Sequence, residues 1–384
     1  MFEGRIDRRR IVMLGTVVLL AGCKVIPQGA PEVAPPPAPA PTDALPADQA
    51  RHRIALLVPM TGPNAAVGQS IANATTMALL DTNAQTIRIT TYDTFGGPAA
   101  AATKAVQDGN KLILGPVQAE DVAPIATVAR AAKVPLISYT SDAAVAARDV
   151  FVMGTVPANS IDRTVRYARA KGAARFALLA PGGDYGARTS GAYAEAITAQ
   201  GGTLTQTEAY DRSNTSVVSA ARRLKARGGF DAVLIADGAR FGALAAPQLK
   251  APGAVSPRIL GTELWSGEAV IGTTPALRGA WFAAISDGRF KQFADSYKTR
   301  FEAAPYRIAT FGYDSVLLAV RIARDWKPGT AFPLARLSDR GGFLGLDGPF
   351  RFAPNGVIER ALEVREARAG GVVIVSPAPD KFAD

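Results

Sequence analysis

The 384-residue chain is 48% hydrophobic and 20% charged, with a formal net charge of +10, 37 Gly, 27 Pro, one Cys and one His. Such a composition supports real cores over a length sufficient for two domains, and it excludes disordered and collagen-like chains. A single Cys and a single His exclude a Cys/His zinc site and a disulfide framework, and a Cys–His pair or a Ser–His–Asp triad could draw only on His52. The lone imidazole, His52, stands between Arg51 and Arg53 beside a proline-rich stretch and is read as a solvated surface residue. A catalytic base needs an orienting partner and a pocket. From Cys23 onward the chain carries 39 basic and 31 acidic groups, net +8. This excess is spread thinly, without basic runs interleaved with aromatics, so nucleic acid is not an expected partner.

At the N-terminus, Arg8 to Arg10 form a basic region and Ile11 to Ala21 an apolar run of 11 residues. The run is shorter than the roughly 20 residues a spanning helix needs, so residues 1–22 read as a cleaved signal. Leu20-Ala21-Gly22-Cys23 follows at once and resembles the bacterial lipobox, which makes Cys23 the expected lipidation site and the mature N-terminus. Lys24 follows where an Asp would signal inner-membrane retention in enteric bacteria, which points to the outer membrane. Residues 27–46 hold eight prolines among alanines. They cannot build a core and favour extended polyproline II, so 23–50 read as a tether between a membrane anchor and a folded part.

From Arg53 onward, β-prone apolar runs alternate with Ala-rich stretches at helical spacing. In chain order the pattern predicts a strand at 54–58, a helix at 69–81, a strand at 87–92, a helix at 98–107 and a strand at 112–114. A helix at 120–132 and strands at 136–138 and 151–153 come next, then a helix at 159–171, a strand at 176–180 and a helix at 188–200. The series continues with a strand at 203–210, a helix at 215–227, a strand at 232–235, a helix at 240–249 and strands at 258–260 and 279–284. Two consecutive helices close it, at 290–302 and 309–325. Short continuous apolar strands separated by helices argue for parallel sheets buried on both faces, hence an α/β fold. Two similar series, divided near residue 155, argue for two lobes. Function is then sought in the loops after strand carboxyl ends.

Several of those loops carry a resemblance. Ile54 to Pro63 with Gly68 and Gln69, Leu114-Gly115-Pro116, Val134 to Ser138, Ala180-Pro181 with Asp184-Tyr185-Gly186, and Gly345-Leu-Asp-Gly348 with Phe350-Arg-Phe352 and Gly356 occur in that order. The ordered set, from about residue 53 to the end, resembles type I periplasmic binding proteins of the leucine-binding class. The resemblance implies two doubly wound, mainly parallel sheets joined by three crossovers around a hinge cleft. Lobe one would comprise 51–155 and 285–328, and lobe two 156–284 and 329–384.

In amino-acid receptors of this class, lobe one holds the ligand carboxylate with hydroxyls and backbone N–H groups, and an acid on lobe two holds the ammonium. By that resemblance Glu263 falls at the ammonium position and Tyr185 where an aromatic closes over the ligand. Thr61, Gln118, Tyr139, Thr140, Ser141 and Asp142 are the lobe-one cleft candidates. The Ser-rich turn of the class is replaced here by Gln118-Ala119-Glu120-Asp121, and the hydroxyl expected after Ile137-Ser138 gives way to Tyr139-Thr140-Ser141-Asp142. An Asp there would repel a carboxylate, since like charges about 4 Å apart cost several kcal/mol at an intermediate dielectric. Glu120, Asp121 and Asp142 also read simply as helix-start residues that complement the dipole or cap.

Enzyme motifs are wanting: Gly182-Gly183-Asp184-Tyr185-Gly186 lacks the Lys-Ser/Thr ending of a phosphate loop, and neither Ser-x-x-Lys nor Gly-x-Ser-x-Gly occurs. No spacing singles out a carboxylate pair for glycoside hydrolysis. Two non-enzymatic functions, neither needing a cofactor or metal, are therefore expected. The departures from the amino-acid receptors, the lipobox and the tether resemble penicillin-binding-protein activators, outer-membrane lipoproteins that stimulate a peptidoglycan synthase. The alternative is a lipid-anchored receptor that delivers an amino acid or other small polar ligand to an ABC permease. A cleft filled by its own side chains would favour the activator, and a polar cleft opposite Glu263 the receptor.

Overall fold

A computed structural model describes residues 50–250 and 256–382. The signal segment, Cys23 and nearly all of the tether lie outside the described residues, within which no helix is long and apolar enough to cross a membrane. The first series runs β1 (His52–Val58), α1 (Ala65–Asp81), β2 (Ile87–Asp93), α2 (Pro98–Gln107), β3 (Leu112–Leu114), α3 (Val122–Ala131), β4 (Leu136–Ser138) and β5 (Val150–Val152). Its five strands are all parallel, in the order β2-β1-β3-β4-β5. The continuous apolar run of β1 serves two cores, because successive side chains point to opposite faces. Ile54, Leu56 and Val58 pack with Ile71 and Ala78 of α1, whereas Ala55 and Leu57 pack with Ala102 and Ala105 of α2 and Ile125 of α3.

A second series repeats the plan: α4 (Pro157–Ala170), β6 (Arg175–Pro181), α5 (Asp184–Ala199), β7 (Thr203–Tyr210), α6 (Ser216–Arg227), β8 (Ala232–Ile235), α7 (Ala239–Leu249), β9 (Arg258–Leu260), the short α8 (Val270–Thr273) and β10 (Trp281–Ala284). Strands β7-β6-β8-β9-β10 are parallel and reproduce the first order. Phe176 and Leu178 face the core under α4 and α5, and Ala177 and Leu179 the core under α6 and α7. The architecture is the expected two-lobed α/β fold.

The chain then returns through α9 (Gly288–Phe301) and α10 (Ala309–Ala323) to the first lobe, where α10 packs over β1 and α1. Three short strands follow, β11 (Phe343–Gly345), β12 (Gly348–Phe352) and β13 (Ile358–Arg360), and form a separate antiparallel sheet. The resemblance places everything after 328 in lobe two. Instead Phe332, Leu337, Phe343, Phe350, Phe352 and Ile358 belong to the same core as β1 and α10. The reason is the exposed edge at β5, which would otherwise leave ladder groups unpaired. Val152 N–H donates to Gly356 O at 2.9 Å, and Phe352 meets Phe151 edge-on at 5.2 Å. Only from about residue 361 does the chain rejoin lobe two, as β14 (Glu363–Arg368) and β15 (Gly371–Ser376), antiparallel beside β10.

His52 is a second correction. It is 3% exposed and stacks on Trp326 with ring centroids 3.8 Å apart, and burial lowers its pKa. The side chain is a packing element at the amino end of β1, remote from the carboxyl ends where ligands bind.

The two lobes share one local device. Gly68 in α1 and Gly186 in α5 each follow a Pro at the end of the first strand, and a Cβ at either would lie 1.8 Å from the carbonyl oxygen of Pro59 or Pro181. Only glycine lets the helix start so close to the strand end. Gly191, one and a half turns further along α5, has nothing within 4 Å of the same vector. Gly186→Ala is expected to destabilise the protein by about 1–3 kcal/mol through forced backbone displacement. Gly191→Ala, relieving helix entropy alone, should stabilise it by about 0.5–1 kcal/mol. Chemical denaturation of the two variants checks the pair, and equal effects would refute the packing account.

Candidate functional site

Both sheets reverse strand order beside their first strand, between β1 and β3 and between β6 and β8, and ligands bind outside strand carboxyl ends at such points. On lobe one, Thr61 is exposed and its Oγ1 donates to Asp93 Oδ2 at 2.5 Å, while Gln118 Nε2 donates to Glu120 Oε1 at 3.2 Å. Neither lines the two cavities found at the cleft among the described residues. Tyr139, Thr140 and Ser141 do, walling a cavity of about 430 Å³ together with Val117, Phe311 and Arg307. Tyr139 is 1% exposed and packs on Phe311, and burial pushes its phenol upward.

Asp142 behaves unlike the repelling group expected of it. It does not line either of the cavities at the cleft. Oδ1 accepts Ala144 N–H at 3.0 Å at the start of a 3₁₀ turn, and Oδ2 lies 3.4 Å from Arg188 Nη1 of α5. Its charge is thus answered by a cap and by a cation reaching over from the other lobe, and the objection it raised to a carboxylate ligand lapses. Asp121 stands at the N-cap position of α3 without a side-chain capping bond, and burial, followed by the charge of Glu120, raises its pKa.

On lobe two the candidates do meet. Tyr185 Oη donates to Glu263 Oε1 at 3.0 Å and lies 3.2 Å from Thr262 Oγ1. Burial pushes Glu263 up to about 7, and its Oε2 is buried without a hydrogen-bond partner. Tyr185 is raised in turn, by burial first and by the adjacent Glu263 second. Behind them Arg212 forms two hydrogen bonds to Asp237, 2.8 and 2.9 Å long, and its guanidinium carbon lies 5.4 Å from the Tyr185 ring centroid. Tyr210 Oη donates to Asp237 at 2.7 Å and Trp265 Nε1 to its backbone oxygen at 2.8 Å. Asp237 is therefore fully engaged in fixing this platform, which leaves Glu263 as the carboxylate with unused capacity.

Glu263 lines a second cavity, of about 490 Å³, whose wall includes all three crossovers: Thr155 and Val156, Ala284 and Ile285, and Arg360 and Leu362. Thr155, Ile285 and Arg307 also line the first cavity, so the two adjoin at the hinge. Beneath them is a charge cluster. Arg307 Nη1 donates to Asp347 Oδ1 at 2.6 Å and to Thr310 Oγ1 at 3.1 Å. Arg360 Nη1 is 3.7 Å from Asp314 Oδ2 and 4.0 Å from Asp347 Oδ2. Asp314 is fully buried, and that burial, with the charge of Asp347, pushes it up to about 7 against the opposing pull of Arg360.

A family description of periplasmic binding proteins matches residues 52–371. The chain belongs to the periplasmic binding protein family. Among solved structures it is similar to a branched-chain amino acid ABC transporter protein from Rhodospirillum rubrum. The two are 20% identical with a TM-score of 0.74, over 85% of this chain and all of the other. It is also similar to the solute binding protein of an ABC transporter from Rhodopseudomonas palustris BisB5, solved with 3,4-dihydroxybenzoic acid. There the identity is 21% and the TM-score 0.59, over 86% of this chain and 97% of that one. At these identities the likeness establishes the fold. An uncharacterized protein of Rickettsia prowazekii (strain Madrid E) is 28% identical over 179 residues, and the match spans 46% of this chain and about half (48%) of that relative.

Arg307, Arg360, Asp314 and Asp347 were not among the sequence candidates. Asp347 lies inside the Gly345-Leu-Asp-Gly348 motif and could have been noticed there, but Arg307 carries no local signal, since its partner is 40 residues away. For Glu263 the linkage has a definite sign. A carboxyl near 7 in the folded protein and near 4.5 in the unfolded one binds its proton more tightly when folded, so stability falls as pH rises from about 4.5 to 7. Glu263→Gln should remove this loss: similar to the parent at pH 4.5, the variant should be more stable by roughly 2–3 kcal/mol at pH 8. Unfolding curves at the two pH values test this, and parallel behaviour of parent and variant would count against it.

Proposed function

We propose that this protein is the substrate-binding component of an ABC importer and that it captures a small carboxylate-bearing ligand, an amino acid or an aromatic acid, in its hinge cleft. The observation that carries this reading is the 490 Å³ cavity, which is lined by unspent acidic and basic groups, Glu263 and Arg307, beside the crossovers. Its volume is that of a small-molecule site. A cleft packed by its own side chains would have favoured the penicillin-binding-protein activator that the sequence suggested first. The Rhodospirillum and Rhodopseudomonas proteins, by their descriptions, serve ABC transporters, and one holds an aromatic carboxylate; both support the importer over the activator.

Titrating the full chain with isoleucine, leucine and 3,4-dihydroxybenzoate in a thermal-shift experiment checks the reading. A ligand at a hundred times its dissociation constant adds about 2.7 kcal/mol to stability, so binding of any of the three should raise the melting temperature. Absence of a shift with all three, together with capture of a peptidoglycan synthase by the chain, would return the protein to the activator class.

The family implies a periplasmic location, and the lipid anchor at Cys23 is part of the same proposal. The outer-membrane preference drawn from Lys24 suits an activator, whereas a receptor must meet an inner-membrane permease. Cys23→Ser is expected to move the protein from the membrane to the soluble fraction, and separation of the two membranes on a density gradient tells which one the parent occupies. A variant that stays membrane-bound would contradict the anchor.

A further inference from the structure

The import reading leaves open where the ligand's negative charge is held. By resemblance it would sit on lobe one, at the turns after β3 and β4. Those turns offer Val117, Gln118, Tyr139, Thr140, Ser141 and Asp142, with no cation among them. At the hinge floor the balance is opposite. A guanidinium has five N–H donors and is always charged. Arg307 commits Nη1 to Asp347 and Thr310, and its Nη2 is buried with no hydrogen-bond partner. Arg360 makes one hydrogen bond, from Nη2 to Met153 O at 3.1 Å, while Nε and Nη1 are buried with none.

Both arginines line the cavity that contains Glu263. Against these two permanent charges stand Asp347, whose oxygens already accept from Arg307 and Thr310, and Asp314, whose burial opposes its ionisation. The floor therefore holds three unmade guanidinium donors, Arg307 Nη2 and Arg360 Nε and Nη1, and buried donors of this kind are ordinarily satisfied. Phe290 lies under Arg307, with the guanidinium carbon 4.4 Å from its ring centroid, and fixes the group in place.

Resting on the import reading, we infer that Arg307, backed by the charge of Arg360, binds the ligand's carboxylate at the hinge floor. An amino-acid ligand then lies along the crossovers with its ammonium toward Glu263. Amino acids and aromatic acids share the carboxylate, so one anion subsite serves both, and the Ser-rich turn of lobe one is dispensable.

Isothermal titration of the full chain with isoleucine, 3,4-dihydroxybenzoate and isoleucinol tests the inference, the last keeping the ammonium while lacking the carboxylate. Arg307→Gln should weaken each carboxylate that the parent binds by about tenfold or more, as expected for a lost charge-assisted pair, and Arg307→Lys should recover part of the loss. Isoleucinol should bind the parent poorly and lose little further in Arg307→Gln. Carboxylate affinity unchanged in Arg307→Gln overturns the inference and leaves the import reading standing. Should the parent bind neither acid, that reading falls, and a titration with acetate against chloride at constant ionic strength judges the subsite alone. Acetate stabilising the parent and not a folded Arg307→Gln supports the subsite; no difference between the salts overturns it. Arg307→Lys, which keeps a cation beside Asp347, serves in the same comparison if the Gln variant does not fold.

Discussion

A parallel sheet cannot be built from hairpins. Each pair of neighbouring parallel strands needs a crossover, and the crossovers here cover both faces of both sheets, so central strands such as β3 and β8 are buried on two sides and apolar throughout. What remains accessible is the strand ends. Two sheets of the same order, each with its first helix pressed against the first strand through Gly68 or Gly186, bring their loops toward one cleft. The hydrophobic requirement of the interior thereby confines polar chemistry to the loops and to the three segments that pass between lobes.

On and beside those segments stand groups that stability alone would not select. Glu263 and Asp314 are carboxyls pushed up by burial, and Arg307 and Arg360 keep buried N–H groups without hydrogen-bond partners. Elsewhere in lobe two, comparable charges are answered: Arg365 donates to Glu363 at 2.7 Å and pairs with Asp287 at 2.8 Å, and Asp237 is held by Arg212 and Tyr210. The contrast between satisfied charges around the platform and unsatisfied ones at the crossovers is a physical mark of a site, because a buried polar group left unmade opposes folding unless something else repays it.

The sequence disclosed this fold where burial on both faces leaves an unbroken apolar run, as in Leu112 to Leu114 and Ala232 to Ile235, whose bounds agree with the structure. It disclosed little beyond residue 328. Strand β14 reads Glu-Val-Arg-Glu-Ala-Arg, a solvated segment by composition, yet Glu363 and Arg365 are each 3% exposed because they neutralise one another. The aromatic residues of β11 and β12 could have joined either lobe, and only the open edge of β5 decides. Of the site, Glu263 and Tyr185 were legible through their motifs and stand in contact. Thr61, Gln118 and Asp142 were carried over from the resemblance by their places in the loops, and a place in a loop does not say which way a side chain is engaged. Arg307 depends on a partner from a distant loop, and no local pattern encodes that pairing.

The contact between Arg188 and Asp142 ties a helix of one lobe to a turn of the other at the rim of the cleft, with the two side chains 40% and 23% exposed. An ion pair so placed is worth about 1 kcal/mol at most and is screened over roughly 8–10 Å at physiological salt. It nevertheless exists only when the lobes are together, so it weights the closed form by a factor of up to about five and passes that weight to any ligand selecting that form. Ionic strength thus becomes a dial on the balance between closed and open lobes: dilute surroundings favour the closed form and saline ones the open form, without any change in the groups that line the cleft.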